Sequence, residues 1–392
     1  MKLEQAIDNL IYLERYVNTR KYADYAAFSD VSREYHPVEG SESFNLGYID
    51  LDPDEITVLK ANPDTELNIK PNRFYVHPDM INEYSEIPEF KTLARQNGNV
   101  KVTPTSSTRT VMPIGENYYI KVNLNKRISR YIRRLRKNSV EHSIKISNEM
   151  EEASRNAPEE FAYLPESYGM IYNGIGQIIR EATPRPIAED DRFMIPYFSL
   201  HSRDLKNPKD DPLLVQLINR SGSKPADYFL DKIINPLISC WSWMAQERGV
   251  LLESHSQNTL LELDYNFEPR RVVHRDFQSL MVNTELRREK GLENCFNKHI
   301  LGQEDGIAIK QNYSFVFDWF IGHYLLDKMV GCMDRHYSIN PEDIKDGVKD
   351  VFNHHFKNQK LYFSKEVYGF VKSPLKDNMT VIEVKKECAD YR

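Results

Sequence analysis

From Tyr118 to Leu124 apolar and polar side chains alternate along the stretch YYIKVNL. Tyr118, Ile120, Val122 and Leu124 fall on one side, and Tyr119, Lys121 and Asn123 on the other. That period of two predicts a half-buried strand whose lysine points away from the core. The period then changes. Ile128, Tyr131, Ile132 and Leu135 recur at helical spacing, with Arg130, Arg133, Arg134 and Lys137 as a second stripe, which predicts a basic helix. Residues 170–181 (MIYNGIGQIIRE) read as a strand or hairpin, and 228–247 and 313–333 as core helices. Asp318, His323, Asp327 and Lys328 interrupt 313–333, so a buried helix is expected there and not a membrane span. The first hundred residues mix short helical patterns with Pro-rich turns, and open on an amphipathic helix with no signal-peptide core. The polar run QNGNVKVTPTSST at 96–108 predicts a boundary, and 156–165 and 183–196 predict linkers or long loops.

The stretch 253–277 is the most informative. A strand with Thr259, Leu261 and Leu263 on one side ends in the turn-forming run DYNFEP, and RRVVHRDF returns. Folded as an antiparallel hairpin, it brings Gln257 and Asn258 opposite Arg275 and Asp276 at the open end.

Bulk properties narrow the class. A chain of 392 residues allows two or three packed units, and a net charge of −6 gives no reason to expect nucleic acid or an anionic membrane as partner. Cys240, Cys295, Cys332 and Cys388 are too far apart in sequence for a metal knuckle or redox motif, and read as structural thiols of a reducing cytosol.

Four constellations carry candidate chemistry, each with a structural alternative. PTSSTRT at 104–110 suits phosphate oxygens, or is a Ser/Thr-rich turn. Lys121 and Arg133 follow Arg109 at equal steps of twelve. Three cations in one site would neutralise a triphosphate; the basic run could equally be a solvated helix face. Glu253, His255, Gln257 and Asn258 (ESHSQN) are costly at the mouth of an apolar hairpin unless they meet a ligand or bond one another in a turn. HRDF at 274–277 offers Asp276 as a kinase base or as a carboxylate beside magnesium and ATP. Against the kinase, Met281 stands where its metal-binding Asn is expected, Asn283 is at the wrong offset, and GIG at 174–176 is too weak a phosphate loop. Asp318 could supply the later metal-binding Asp, or be a helix cap or core partner.

Together these motifs resemble the NRPS-independent siderophore synthetases of the aerobactin-synthetase type. PTSSTRT, Lys121, Arg133, ESHSQN and the run Arg275, Asp276, Phe277 and Gln278 stand in the family's order, with VHPDM and GIGQIIRE as weaker matches, over roughly residues 30–330. The resemblance implies an α+β fold likened to a hand. A reduced thumb would span 1–100, β-rich fingers 101–185, and a palm 186–392 with the hairpin 253–277 and a helical end. It implies a cytoplasmic enzyme, allows a homodimer, and implies chemistry that joins a carboxylate, activated as an acyl-adenylate, to an amine or hydroxyl. By that likeness Ser107, Arg109, Thr110, Lys121, Arg133, His255, Gln257, Asn258 and Asp276 would hold ATP. Arg133, His255 and Lys121 would serve catalysis, and Glu253 or Asp276 would approach Mg2+. His36, Glu39, Ser43 and Arg133 would face the substrate. This last segment departs from the family: in HPVEGSESFNLGY, Glu39, Ser43 and Asn45 replace a His, a Lys and an Arg. The substrate half is therefore not expected to be built for ordinary citrate recognition, unless Lys328 or Arg335 refills it. A small-molecule kinase using Asp276, or a degenerate nucleotide-binding scaffold, are the alternatives.

Overall fold

The computed structural model describes residues 1–18, 30–61, 67–128, 131–292, 306–372 and 380–392. Near the start, α1 spans Leu10–Tyr16. Strands β1 (Phe44–Asp50), β2 (Thr57–Lys60), β3 (Arg73–Val76), β4 (Gly98–Pro104), β5 (Thr110–Pro113) and β6 (Tyr118–Lys121) follow. A two-stranded ribbon, β7 (Arg127–Ile128) with β8 (Tyr131–Ile132), leads to the long helix α2 (Lys137–Ser154). Then come β9 (Phe161–Tyr163), β10 (Glu166–Tyr172), β11 (Ile175–Glu181) and β12 (Arg192–Pro196). The rest is largely helical, interrupted by the hairpin announced in the sequence, whose strands are Thr259–Asp264 and Pro269–His274.

The larger sheet has eight antiparallel strands in the order β2–β10–β11–β6–β5–β4–β1–β3. One sheet thus takes strands from both sides of residue 100, so the polar run at 96–108 is strand β4 and its following loop. The smaller sheet orders β12, Thr259–Asp264, Pro269–His274 and β9, with β9 parallel to its neighbour. Two segments read as linkers or loops therefore contain strands of this sheet, β9 and β12. The sheets meet through Tyr119, Ala162, Leu164, Leu260 and Val273. On its far side the smaller sheet packs against helices through Leu261 and Val272, in a core that includes Trp241, Phe317 and Phe352.

Strand β6 keeps the two faces its alternation predicted. Tyr118, Ile120, Val122 and Leu124 join the core of the larger sheet, while Tyr119 and Lys121 turn the other way. It is buried on both faces, however, because the second sheet covers the polar one. The predicted basic helix over 128–137 is not formed. The chain doubles back, Arg133 N–H donating to the Lys126 carbonyl (3.0 Å) and Leu124 N–H to the Arg133 carbonyl (3.3 Å). Ile128 and Leu135 are buried, but Ile132 is exposed, so the spacing was helical only by coincidence. Asn123 settles the geometry: its side-chain oxygen accepts from Leu135 N–H (2.7 Å), which anchors the ribbon's exit.

Helix α2 lies against β10 and β11, with Val140 above two glycines. A Cβ on Gly169 or Gly176 would stand 2.4 Å from a Val140 methyl. GIG is therefore a turn and a packing site, with Gly174 at φ +80° in the turn. Among the described residues no helix is long and apolar enough to cross a membrane. Gly169→Ala should lower unfolding stability by roughly 1–3 kcal/mol through overpacking. Val140→Ala in the same chain should recover most of that loss in denaturant titrations. An unchanged midpoint for Gly169→Ala alone would show that α2 can shift at no cost.

Candidate active site

The polar face of the larger sheet carries a row of charges. Strand register sets Lys121 beside Ile178, Arg180 beside Tyr119, and Glu166 beside Arg180, so Lys121, Arg180 and Glu166 share one face. Lys121 is 1% exposed, and Arg109 and Arg180 are 4% exposed each. Such burial is tolerable only with partners. Glu166 accepts from Arg180 Nη2 (2.5 Å) and from Ser143 of α2. Lys121 pairs with Asp276, which Arg180 approaches at 3.7 Å.

Asp276 arrives from the other sheet, just past Pro269–His274. The hairpin pairs as its pattern predicted: Thr259 lies opposite His274, and Arg275 N–H donates to the Asn258 carbonyl (3.0 Å). Asp276 has φ +74°, the left-handed region that a non-glycine residue enters at a cost of order 1–3 kcal/mol. The bends on either side hold it there. Arg275 donates to the Gln257 carbonyl (2.9 and 2.6 Å), and Phe277 N–H points to Glu166 (3.4 Å). Burial alone would raise the Asp276 carboxyl, but Lys121, Arg180 and Arg109 hold it far below the usual carboxylate range. For Lys121, burial outweighs the attraction of Asp276 and Glu166 and, with Arg109 and Arg180 adding repulsion, brings the ammonium down to about 8. At neutral pH the pair is ionised.

The other motif residues converge here. The 104–110 loop is tied to ESHSQN by Gln257 Nε2 donating to Ser106 Oγ (3.0 Å). Ser107 lies in that loop's turn, and Thr110 pairs with Lys121 across β5 and β6. Arg109 Nη1 donates to the Arg133 carbonyl (3.0 Å), and the Arg133 charge is felt by Arg109, Glu253 and His255. Burial, with the Asp276 carboxylate nearby, pushes Glu253 up to about 8. Burial pushes His255 down to about 4. Its Nδ1 accepts from Gln257 N–H (3.2 Å), so the neutral ring carries its proton on Nε2. Phe320 lies against the His255 ring, and Ser256 Oγ donates to the Tyr324 carbonyl (2.7 Å). Both contacts come from the π-helical turn Phe315–Leu326.

Three placements fall elsewhere. His36 is buried with Nε2 3.3 Å from the Val31 carbonyl, Glu39 is exposed and paired with Arg33 (3.1 Å), and Ser43 is half-buried before β1. Lys328 and Arg335 bear on the buried His201, whose imidazole burial holds down to about 3 with their charges adding to the effect. The kinase alternative loses its metal ligands. Asn283 caps Thr284–Glu289, accepting from Leu286 N–H (3.0 Å), and Asp318 is a core partner of Arg392 (2.7 Å). A cavity of about 750 Å³ opens at the opposite end of the hairpin, lined by Glu160, Arg192, Asp231 and Arg271, and holds none of the motif residues.

Glu14, Glu166 and Arg180 complete the site; Glu14 and Glu166 belong to no motif read from the sequence, and Arg180 lies in the weaker match GIGQIIRE, which assigns it no role. The alternation in QIIRE marks Arg180 as sharing a face with Ile178, yet only the pairing with β6 shows that this face is the charged one.

Comparison with known proteins bears on the fold and the family likeness. Residues 74–200 match the IucA / IucC family. The aerobactin synthetase IucC of Klebsiella pneumoniae superposes with a TM-score of 0.72 at 16% identity, over 96% of this chain and 76% of that one. The ATP-bound aerobactin synthetase IucA of the same organism gives 0.71 at 14% identity, over 98% and 80%. The chain has the fold of the aerobactin synthetases. A curated relative, the L-2,3-diaminopropanoate–citrate ligase of Staphylococcus aureus, is 25% identical over 313 residues, 68% of this chain and 52% of the relative. The chain thus spans about half the length of that relative. The family resemblance read from the motifs is borne out, and its α+β class is seen as helices packed on two mainly antiparallel sheets.

Charge-assisted bonds of the kind Arg109 and Lys121 can make to phosphate contribute roughly 1.5–3 kcal/mol each, so each Ala variant should weaken ATP binding about ten- to a hundredfold. Loss of the Lys121 proton removes attraction, so metal-free ATP affinity should fall as pH rises through about 8. In Lys121→Arg that fall should disappear. Calorimetric titration across this range checks both, and a flat wild-type profile would remove Lys121 from the phosphate contacts.

Proposed function

We propose that this chain is an ATP- and magnesium-dependent ligase that adenylates a carboxylate and passes the acyl group to an amine or hydroxyl, as in siderophore assembly. One observation carries the reading. On the fold of the aerobactin synthetases, buried Lys121, Arg109 and Arg180 converge on Asp276 between a hydroxyl-rich loop and the ESHSQN segment. In this reading Ser107, Arg109, Thr110 and Lys121 hold the phosphates, and Gln257 and Asn258 close the nucleotide side. Arg133 bridges phosphate and carboxylate, and the neutral His255 donates through Nε2. Cations so placed offset the repulsion between a carboxylate and the α-phosphate as the two approach in line.

Asp276 and Glu253 fit a magnesium ion. The metal needs only one or two protein carboxylates when phosphate and water complete its shell. Asp276 offers Oδ2, since Lys121 takes Oδ1, and Glu253 stands near enough to feel its charge. Bound there, the ion would neutralise phosphate oxygens. The hand description fits the same reading, with 101–185 as fingers joined by β1–β3 and 186–392 as a palm. A cytoplasmic location follows from the chemistry, which needs ATP.

The products test the chemistry. Carboxylate-dependent release of pyrophosphate and AMP is expected, and substrate-dependent ADP without AMP would sink the ligase reading. The substrate segment makes a second expectation. Glu39, Ser43 and Asn45 present one acid and two neutral groups, so citrate should be used less well than a smaller or amino-bearing acid. Competition between the acids on wild type and Glu39→His measures this. A wild-type preference for citrate that Glu39→His leaves unaltered would show that the segment does not select the acid.

A further inference from the structure

Helix α1 carries two adjacent buried charges, Glu14 and Arg15. Successive side chains on a helix diverge by about 100°, so such a pair faces two different neighbours. Glu14 meets Arg275 Nη1 (2.5 Å) and accepts from Ser106 N–H (3.1 Å). Ser106 Oγ accepts from Gln257, whose carbonyl is held by Arg275. The contacts close a ring through α1, the 104–110 loop, ESHSQN and the residue before Asp276.

Arg15 turns the other way. Its Nε donates to the Pro37 carbonyl (2.7 Å), Nη2 to Ser41 (3.0 Å) and Nη1 to Glu42 (2.9 Å). One guanidinium therefore gathers three carbonyls of the loop that begins at His36. The loop's own backbone supplies two turn bonds, Gly40 N–H to the His36 carbonyl (3.0 Å) and Ser41 N–H to Glu34 (2.8 Å). Its course depends on the fork from α1, which an ammonium cannot reproduce. Leu13 and Val17 seat α1 in the main helical core, so the strut itself is rigid.

We propose that Glu14 and Arg15 are positioning residues that hold the nucleotide loop and the carboxylate-binding loop in register, Glu14 acting on the ATP side and Arg15 on the acid side. The inference rests on reading the segment from His36 to Ser43 as the acid-binding one. Its physical motive is the demand of in-line attack, for which an error of about 1 Å can cost a hundredfold in rate. Two loops carried by different strands meet that demand only if a rigid element spans them.

Kinetics of acid-dependent pyrophosphate release on Arg15→Lys and Glu14→Gln separate the two arms. Arg15→Lys should raise KM for the acid by about tenfold or more and leave KM for ATP within about twofold. Glu14→Gln keeps an acceptor for Ser106 but loses the charge facing Arg275. It should raise KM for ATP by about fivefold or more, with the acid KM within about twofold. A structural role alone would move both constants together, and that result, or no change in either, overturns the proposal. If wild type releases no pyrophosphate with any acid, the functional reading has failed, and amide hydrogen exchange with ATP decides the inference. ATP should then slow exchange at 37–43 in wild type and not in Arg15→Lys. An equal effect in both, or none in wild type, overturns the coupling.

Discussion

Charge taken out of water organises this molecule. Lys121, Arg109 and Arg180 are almost wholly buried, and stripping hydration from each costs several kcal/mol before any partner is found. Glu166 and Asp276 supply the opposite charge, one from the larger sheet itself and one from beyond the smaller sheet. The cluster can exist only where the two sheets meet. That is why β6 is covered on both faces, and why Asp276 is held in a backbone conformation that a non-glycine residue avoids. A phosphate chain entering such a site meets cations already desolvated and fixed, the condition under which electrostatic stabilisation is strongest.

The surrounding elements keep that cluster in place. Helix α2 reaches in from one side, with Ser143 on Glu166 and His142 Nε2 against the Leu280 carbonyl (3.1 Å), and is brought close by Gly169 and Gly176. The π-helical turn Phe315–Leu326 supports His255 and Ser256 from behind. It is itself tied to Arg392 through Asp318 and, just beyond its end, to Tyr391 through Asp327 (2.7 Å). Helix α1 closes the remaining side. Apart from Thr110 and Lys121, which stand on β5 and β6, the motif residues sit on loops, while the parts that fix them are helices and sheets.

Much of the site was legible. The hairpin at 253–277 was readable because an alternating strand, a turn run and a returning strand leave one antiparallel register that buries Leu261 and Leu263, and that register alone set Asn258 against Arg275. The faces of β6 were readable for the same reason. The first hundred residues were not: Phe44, Leu46 and Tyr48 alternate in FNLGYID, yet frequent Pro and Asp around them hid a strand that pairs on both sides. The stripe at 128–135 misled in the opposite sense, since helical spacing in a short run says nothing of a backbone that turns back on itself.

By itself the sequence determined the local chemistry: a hydroxyl-rich loop, cations at Arg109, Lys121 and Arg133, the ESHSQN segment, and Asp276 after a returning strand. Those are properties of short runs, where period and residue type suffice. Only the tertiary structure decided that Glu166 and Arg180 share the face of Lys121, that Glu14 bonds to the 104–110 loop, and that Arg15 gathers the chain around Pro37. Each of those facts is a contact between segments far apart in the chain. A carboxylate or guanidinium on a strand or amphipathic helix reads as solvent-facing until a second element buries it, and the strand order that brings that element is not written in any local pattern.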